Sequence, residues 1–265
     1  MAMSPRKRAR ISRGVQYVVL ALVVVAVVLA TDWAKVKNDF FNPEIARAMF
    51  PDVIIVALKN TIIYTACGFT FGLGLGLVLG LMRLSSVGPY RWMATVFIEF
   101  FRGVPALVVF LALSVGVPTA FPGYTVPGDV LGIATLALGM VGGAYMAETI
   151  RAGIQAVPKG QTEAARSLGM SGSRAMISIV IPQAFRIILP PLTNEFVILF
   201  KDSSLVLLLG VTLEERDLSK YGRDLASTTA NSTPILVAGL CYLLVTIPLV
   251  FVVRRLESKA GEAVK

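Results

Sequence analysis

The chain contains no histidine. That removes the commonest general base and the commonest metal ligand. Cysteine is almost missing too: Cys67 and Cys241 each sit in an apolar stretch. They read as small buried hydrophobes, and two isolated thiols support neither a disulfide framework nor a metal cluster. Charge is scarce. Asp, Glu, Lys and Arg make up 15 % of the residues, against roughly 25 % in soluble domains. No G-x-x-x-x-G-K-[ST] phosphate loop occurs; GMSGSRA, starting at Gly169, has glycines but lacks the lysine. The chain is therefore not expected to hydrolyse ATP, and no catalytic or metal-ligating residue is expected on it. No basic face carries interleaved aromatics, so the net charge of +9 does not point to nucleic acid.

What is present is apolar. Of 265 residues, 55 % are hydrophobic, and the mean hydropathy is +0.75. Crossing a bilayer takes roughly 20 apolar residues. Six stretches qualify: about Val15–Thr31, Asn60–Met82, Thr95–Val117, Val130–Ala147, Ala184–Gly210 and Ile235–Val253. Lipid offers the backbone no hydrogen-bond partners, so each is expected to be a helix. The fold class is an all-α membrane protein with six transmembrane helices. The first span follows Arg6, Lys7, Arg8, Arg10 and Arg13 and shows no small-residue cleavage site, so it is expected to be retained.

Basic residues set the orientation. With the N-terminus inside, the inner segments 1–14, 83–94, 148–183 and 254–265 hold fifteen Lys and Arg, and the outer segments hold seven. Both termini are then cytoplasmic. Three regions follow: a basic start, first helix and outer loop over 1–52; a five-helix core over 53–254; and a cytoplasmic tail over 255–265.

In the second span, Gly68, Gly72, Gly76 and Gly80 recur every fourth residue and share one helix face. Small residues at that spacing admit a close neighbouring helix. Either a sliding helix pair or static packing within one subunit would use them. Ionisable residues inside spans are costly and usually functional. Glu99 and Arg102 are three apart and able to pair; Gly103 and Pro105 should loosen the backbone after them. In the fifth span, Pro190 and Pro191 are expected to interrupt the helix. Asn194, Glu195, Lys201, Asp202 and Ser203 follow. Asn194 aligns with Lys201, and Glu195 with Asp202. These residues would either line a translocation path for a zwitterion or stitch helices together.

A polar island, about 144–182, separates two apolar spans. It is composed like a short helix, starting after Pro158 and stopping at Gly169. From Glu163 it reads E-A-A, three residues, Gly169, nine residues, then Ile179-Val180-Ile181-Pro182. This spacing resembles the EAA motif of the permease subunits of ABC importers, with Ile181 in place of the usual Leu. GGAYMAETIRAGIQAVPKGQTEAARSLG, FFRGVPALV and KDSSLVLLLG resemble the polar-amino-acid branch of that family. The resemblance covers about Val53 to Val253.

The resemblance implies a type I importer core in the last five helices, with the loop over about 148–183 as a coupling loop. Gly160, Glu163, Ala164, Ala165, Arg166 and Gly169 would then dock into a groove on a cytoplasmic ABC ATPase subunit, which would bind ATP and magnesium. It also implies a second permease subunit, identical or related, and an extracytoplasmic solute-binding protein. The chain itself would carry no cofactor. The cargo would be a polar amino acid of the glutamate, glutamine or aspartate type, carried across the cell membrane of a prokaryote. An ion-coupled secondary transporter using Glu195 or Glu99 is the alternative, and a membrane scaffold is a third.

Overall fold

The computed structural model describes residues 5–263. Residues 1–4 and 264–265 lie outside the described residues, and so do the side chains of Lys7, Arg8 and Arg10 in the basic start. Helix α1 (Pro5–Ala30) contains the first span, and none of its described side chains is buried. The outer segment after it is built rather than loose. Asp32 caps α2 (Trp33–Phe40) by accepting from the Lys35 N–H, and Asn42 caps α3 (Pro43–Ala48) by accepting from Glu44 and Ile45. Both helices tie back to distant chain. The Ser232 N–H donates to the Asp39 carbonyl at 2.8 Å, and Thr233 Oγ1 accepts from the Asn42 N–H at 3.0 Å.

A π-helical turn over Val53–Leu58 feeds α4 (Lys59–Leu84). Then come α5 (Gly88–Gly103), α6 (Ala106–Leu111) and the short α7 (Val117–Ala120). Helix α8 (Asp129–Ala156) precedes α9 (Lys159–Ser167) and α10 (Gly172–Ala175). Helix α11 (Ile181–Asp202) ends in a tight turn over Ser203–Leu208, followed by α12 (Leu218–Thr229) and α13 (Thr233–Ala263). Among the described residues, five stretches are long and apolar enough to cross a membrane. The sixth expected span is a bent pair.

Two expectations need correction. The stretch 95–117 is not one rod: the chain bends by 103° between α5 and α6. Pro105 has no N–H to continue the helix, and it forces Val104 out of the helical region, to φ −93° and ψ 132°. Helix α5 also starts at Gly88, so most of the expected inner segment 83–94 is helical. Conversely, Pro190 and Pro191 do not interrupt α11, which runs through both. Each proline removes only its own donor. Leaving the helix within lipid would orphan many more backbone groups.

The centre of the molecule is the α4–α8 pair. The glycine stripe faces α8 of the same chain, so the close neighbour it admits lies within one subunit. A Cβ on Gly72 would lie 3.0 Å from the Gly139 carbonyl oxygen, and one on Gly80 would lie 3.0 Å from that of Ala147. A Cβ on Gly68 would strike Leu138 at 2.7 Å. Such backbone proximity is available only to glycine at these positions. Tyr64, Phe110, Leu138, Met146, Leu199 and Val206 form the main core around this pair. A second cluster, including Met49, Val53, Leu218, Tyr221 and the buried Cys241, joins α12 and α13 to the turn before α4.

The chain before α12 is bolted to α4. Tyr64 Oη donates to the Glu215 carbonyl at 2.7 Å, and Asn60 Nδ2 donates to the carbonyls of Glu214 and Arg216. Asp217 caps α12. It is fully buried and accepts from the Ser219 and Lys220 N–H groups and the Tyr242 hydroxyl.

Candidate functional site: a docking helix and a polar cleft

The polar island divides in two. Its first part, through Ala156, continues α8. Val157 and Pro158 are extended and end that helix, and α9 begins at Lys159. At the far end Gly169 takes φ +85°, a conformation that costs glycine little. The Met170 N–H donates to the Ala165 carbonyl and the Gly169 N–H to that of Arg166. This is the paired-bond stop of a Schellman motif.

Within α9, Gly160, Glu163 and Ala164 are exposed, and the last two lie three and four residues after Gly160, so they border one face. Leu168 continues that face and is 86 % exposed. Nothing lies within 4 Å of a Cβ placed on Gly160 or Gly169. Ala165, expected on the docking face, is instead 5 % exposed and packs on its own chain. The small size of Ala165 seats α9 on the molecule; the small size of Ala164 leaves the outer face low. Arg166 is exposed and its guanidinium borders Gly172. Leu168 escaped the sequence reading, although a leucine directly before the stop glycine of a polar helix is a visible signal.

The second feature is an open cleft of about 520 Å³. Its wall includes Arg102 through Ala106 at the α5–α6 bend, Tyr145 of α8, and Glu195 and Asp202 of α11. The bend itself positions Arg102. Glu195 and Asp202 are seven apart and so fall on one face of α11. Arg102 lies 5.4 Å from the Tyr145 ring centroid, a cation–π contact.

The other expected path residues are elsewhere. Asn194 and Lys201 are exposed and do not line this cleft. Ser203 is fully buried and donates to the Phe200 carbonyl at 2.8 Å. The Glu99–Arg102 pair does not form. Glu99 instead meets Arg83 Nη2 of α4 at 3.4 Å. Arg83 Nη1 in turn contacts Glu148 of α8 at 2.6 Å, and Glu148 also pairs with Arg151. Three helices converge there, so a partner from another helix outcompetes the neighbour three residues along. Glu148 and Arg83 carry no distinct sequence signal, because a polar stretch from about 144 reads as a loop and not as the end of α8.

A family model described as "binding-protein-dependent transport system inner membrane component" matches residues 72–262. The chain belongs to this family. The probable glutamine ABC transporter permease protein GlnM of Bacillus subtilis is 39 % identical over 214 residues, 80 % of this chain and 93 % of that protein. The glutamate/aspartate import permease protein GltK of Escherichia coli O157:H7 is 34 % identical and covers 79 % and 92 %. A solved amino acid ABC transporter with histidines superimposes with a TM-score of 0.73 at 35 % identity, covering 81 % of this chain and 97 % of that one. The permease fold read from the EAA spacing is therefore borne out. As an inner-membrane component of a binding-protein-dependent system, this permease is a multi-pass membrane protein. It works with an ATPase and a solute-binding protein.

Proposed function

We propose that this permease is the membrane-spanning subunit of an ATP-driven importer for polar amino acids. The observation that carries the reading is α9: a short exposed helix, stopped by a left-handed glycine, presenting a low face to the cytoplasm. Gly160, Glu163, Ala164, Arg166 and Leu168 dock into a groove of the ATPase, which holds ATP and magnesium. Ala165 and Gly169 hold the docking helix in shape.

The cleft is the translocation path. Its one cation and two carboxylates suit a zwitterion: Arg102 meets the α-carboxylate, and Glu195 and Asp202 meet the α-ammonium. Such a site reads the amino-acid head group. The choice among glutamate, glutamine, aspartate and other polar side chains then rests with the solute-binding protein. Lipid cannot satisfy these charges, so a second permease subunit closes the cleft. Membership of a binding-protein-dependent family disfavours an ion-coupled carrier and a scaffold.

The test is Glu163→Lys or Gly169→Asp in the native complex. Either variant is expected to reach the membrane yet abolish uptake and binding-protein-stimulated ATP hydrolysis. Unchanged uptake would sink the docking role of this helix.

A further inference from the structure

Helix α5 is weakly held compared with its neighbours. Only Ala94 and Ile98 of it are buried. They pack with Leu79 and Ala147 in one small cluster. The α4–α8 pair beside it is the opposite. Its glycine seam brings backbone against backbone, and at the cytoplasmic end the seam finishes in the Arg83–Glu148 contact at 2.6 Å. Both of those side chains are about three-quarters covered, at 21 % and 24 % exposed.

Two rungs, one helical turn apart, join α5 to this rigid pair. One is Arg102 on Tyr145, at the cleft. The other is Glu99 on Arg83. The spacing matches on both sides, because Glu99 and Arg102 are three apart and so are Tyr145 and Glu148. Below the second rung, Arg151 continues the α8 stripe and donates to Gln155, two residues before the Val157–Pro158 turn into α9. One side of α8 thus runs from the cleft to the docking helix. The Glu99 rung is the loose one: its contact is 3.4 Å and Glu99 is 58 % exposed. Among the described residues it is the ion pair that ties α5 to the remaining helices.

We propose that Glu99 is a positioning residue. With Arg83 it forms a breakable latch between α5 and the α4–α8 pair, and its release lets Arg102 leave Tyr145 and opens the cleft. The inference rests on the ATP-coupled reading above. A pull on α9 moves α8, and α4 moves with α8 because the glycine seam packs backbone on backbone and the Arg83–Glu148 pair pins its end. Strain then collects at the weakest joint, the exposed rung. Arg83 keeps Glu148 in either state, so breaking the latch strands no half-buried charge.

The test uses the whole complex, purified with its ATPase and reconstituted in proteoliposomes with its solute-binding protein. Two quantities are read: ATP hydrolysis without binding protein, and amino acid moved per ATP. Glu99→Gln keeps the shape and removes the charge. It is expected to raise the first and lower the second by about threefold, the equilibrium weight of one exposed ion pair. Glu99→Lys, which repels Arg83, is expected to do more. Asp224→Asn, which removes ion pairs with Lys220 and Arg216 at α12, is the control and should move neither. A merely structural Glu99 would lower the yield of complex and leave the ratio alone. Unchanged values for both Glu99 variants overturn the latch, as does an equal shift in the control. A wild-type complex without ATP-dependent uptake overturns the coupled reading and the latch with it.

Discussion

A Cβ on Gly76 would lie 2.9 Å from the carbonyl oxygen of Gly143. No side chain fits there without parting α4 from α8. Gly76→Val is therefore expected to destabilise the permease by about 1–3 kcal/mol, the usual range for overpacking. Gly74, on the same helix, has nothing within 4 Å of the same position. Gly74→Ala should be neutral or stabilising by up to about 1 kcal/mol. Thermal unfolding in mild detergent measures both, and equal shifts would contradict the seam.

The stop of α9 gives a second prediction. Gly169→Val places a β-branched residue at φ +85°, where an L-residue is strained by about 1–2 kcal/mol. Helix α9 should fray from its C-terminal end. Hydrogen exchange at the Leu168 to Met170 amides should quicken in the variant, while exchange in α4 stays slow.

Asp217 supplies a pH dependence. Burial pushes its carboxyl up from 3.8 to about 6, against the lowering effect of the Ser219 and Lys220 N–H groups and the Tyr242 hydroxyl. The folded state then holds a proton more tightly than the unfolded chain does. The stability that Asp217 contributes is greatest below its ordinary value. It falls as pH rises towards about 6 and is flat above, with a total change of about 3 kcal/mol. Asparagine keeps the cap but cannot titrate. Asp217→Asn should be more stable than the wild type at pH 7 relative to pH 4, read as the difference between their unfolding midpoints at the two values. An identical pH profile for both proteins would rule this out.

The cleft predicts an asymmetry along α11. Glu195 and Asp202 line it, whereas Lys201 and Asn194 do not. Replacing Glu195 by Gln should raise the substrate concentration for half-maximal uptake by about tenfold or more, the loss of one charge-assisted hydrogen bond. Lys201→Gln should change it less than Glu195→Gln. Transport assays at matched expression compare the two, and the reverse order would move the path to the other face.

Much of this architecture is legible one residue at a time. Gly169 marks the helix stop because a left-handed turn favours glycine. The Gly68, Gly72, Gly76 and Gly80 stripe announces a close neighbour because four residues return to one face. Pro105 announces a break because proline lacks a donor. Pro190 and Pro191 carry the same local signal, yet α11 runs through them, because in lipid the remaining backbone bonds outweigh two missing ones. Local chemistry alone does not make that comparison.

Partner choice was the other illegible part. Glu99 and Arg102 share a helix face, and spacing pairs them. The fold instead brings Arg83 up from α4 and leaves Arg102 to Tyr145. Ala165 reads as part of a docking face and is turned inward, because α9 sits on its own chain. The sequence by itself determined the class, all but one of the spans and the short helix of the polar island, since these follow from local periodicity and from the demands of lipid on every backbone group. Only the tertiary structure decided which charges meet and which face of each helix is covered. Those outcomes depend on distances between residues far apart in the chain, as where the close approach of α4 to α8 brings Arg83 to Glu148.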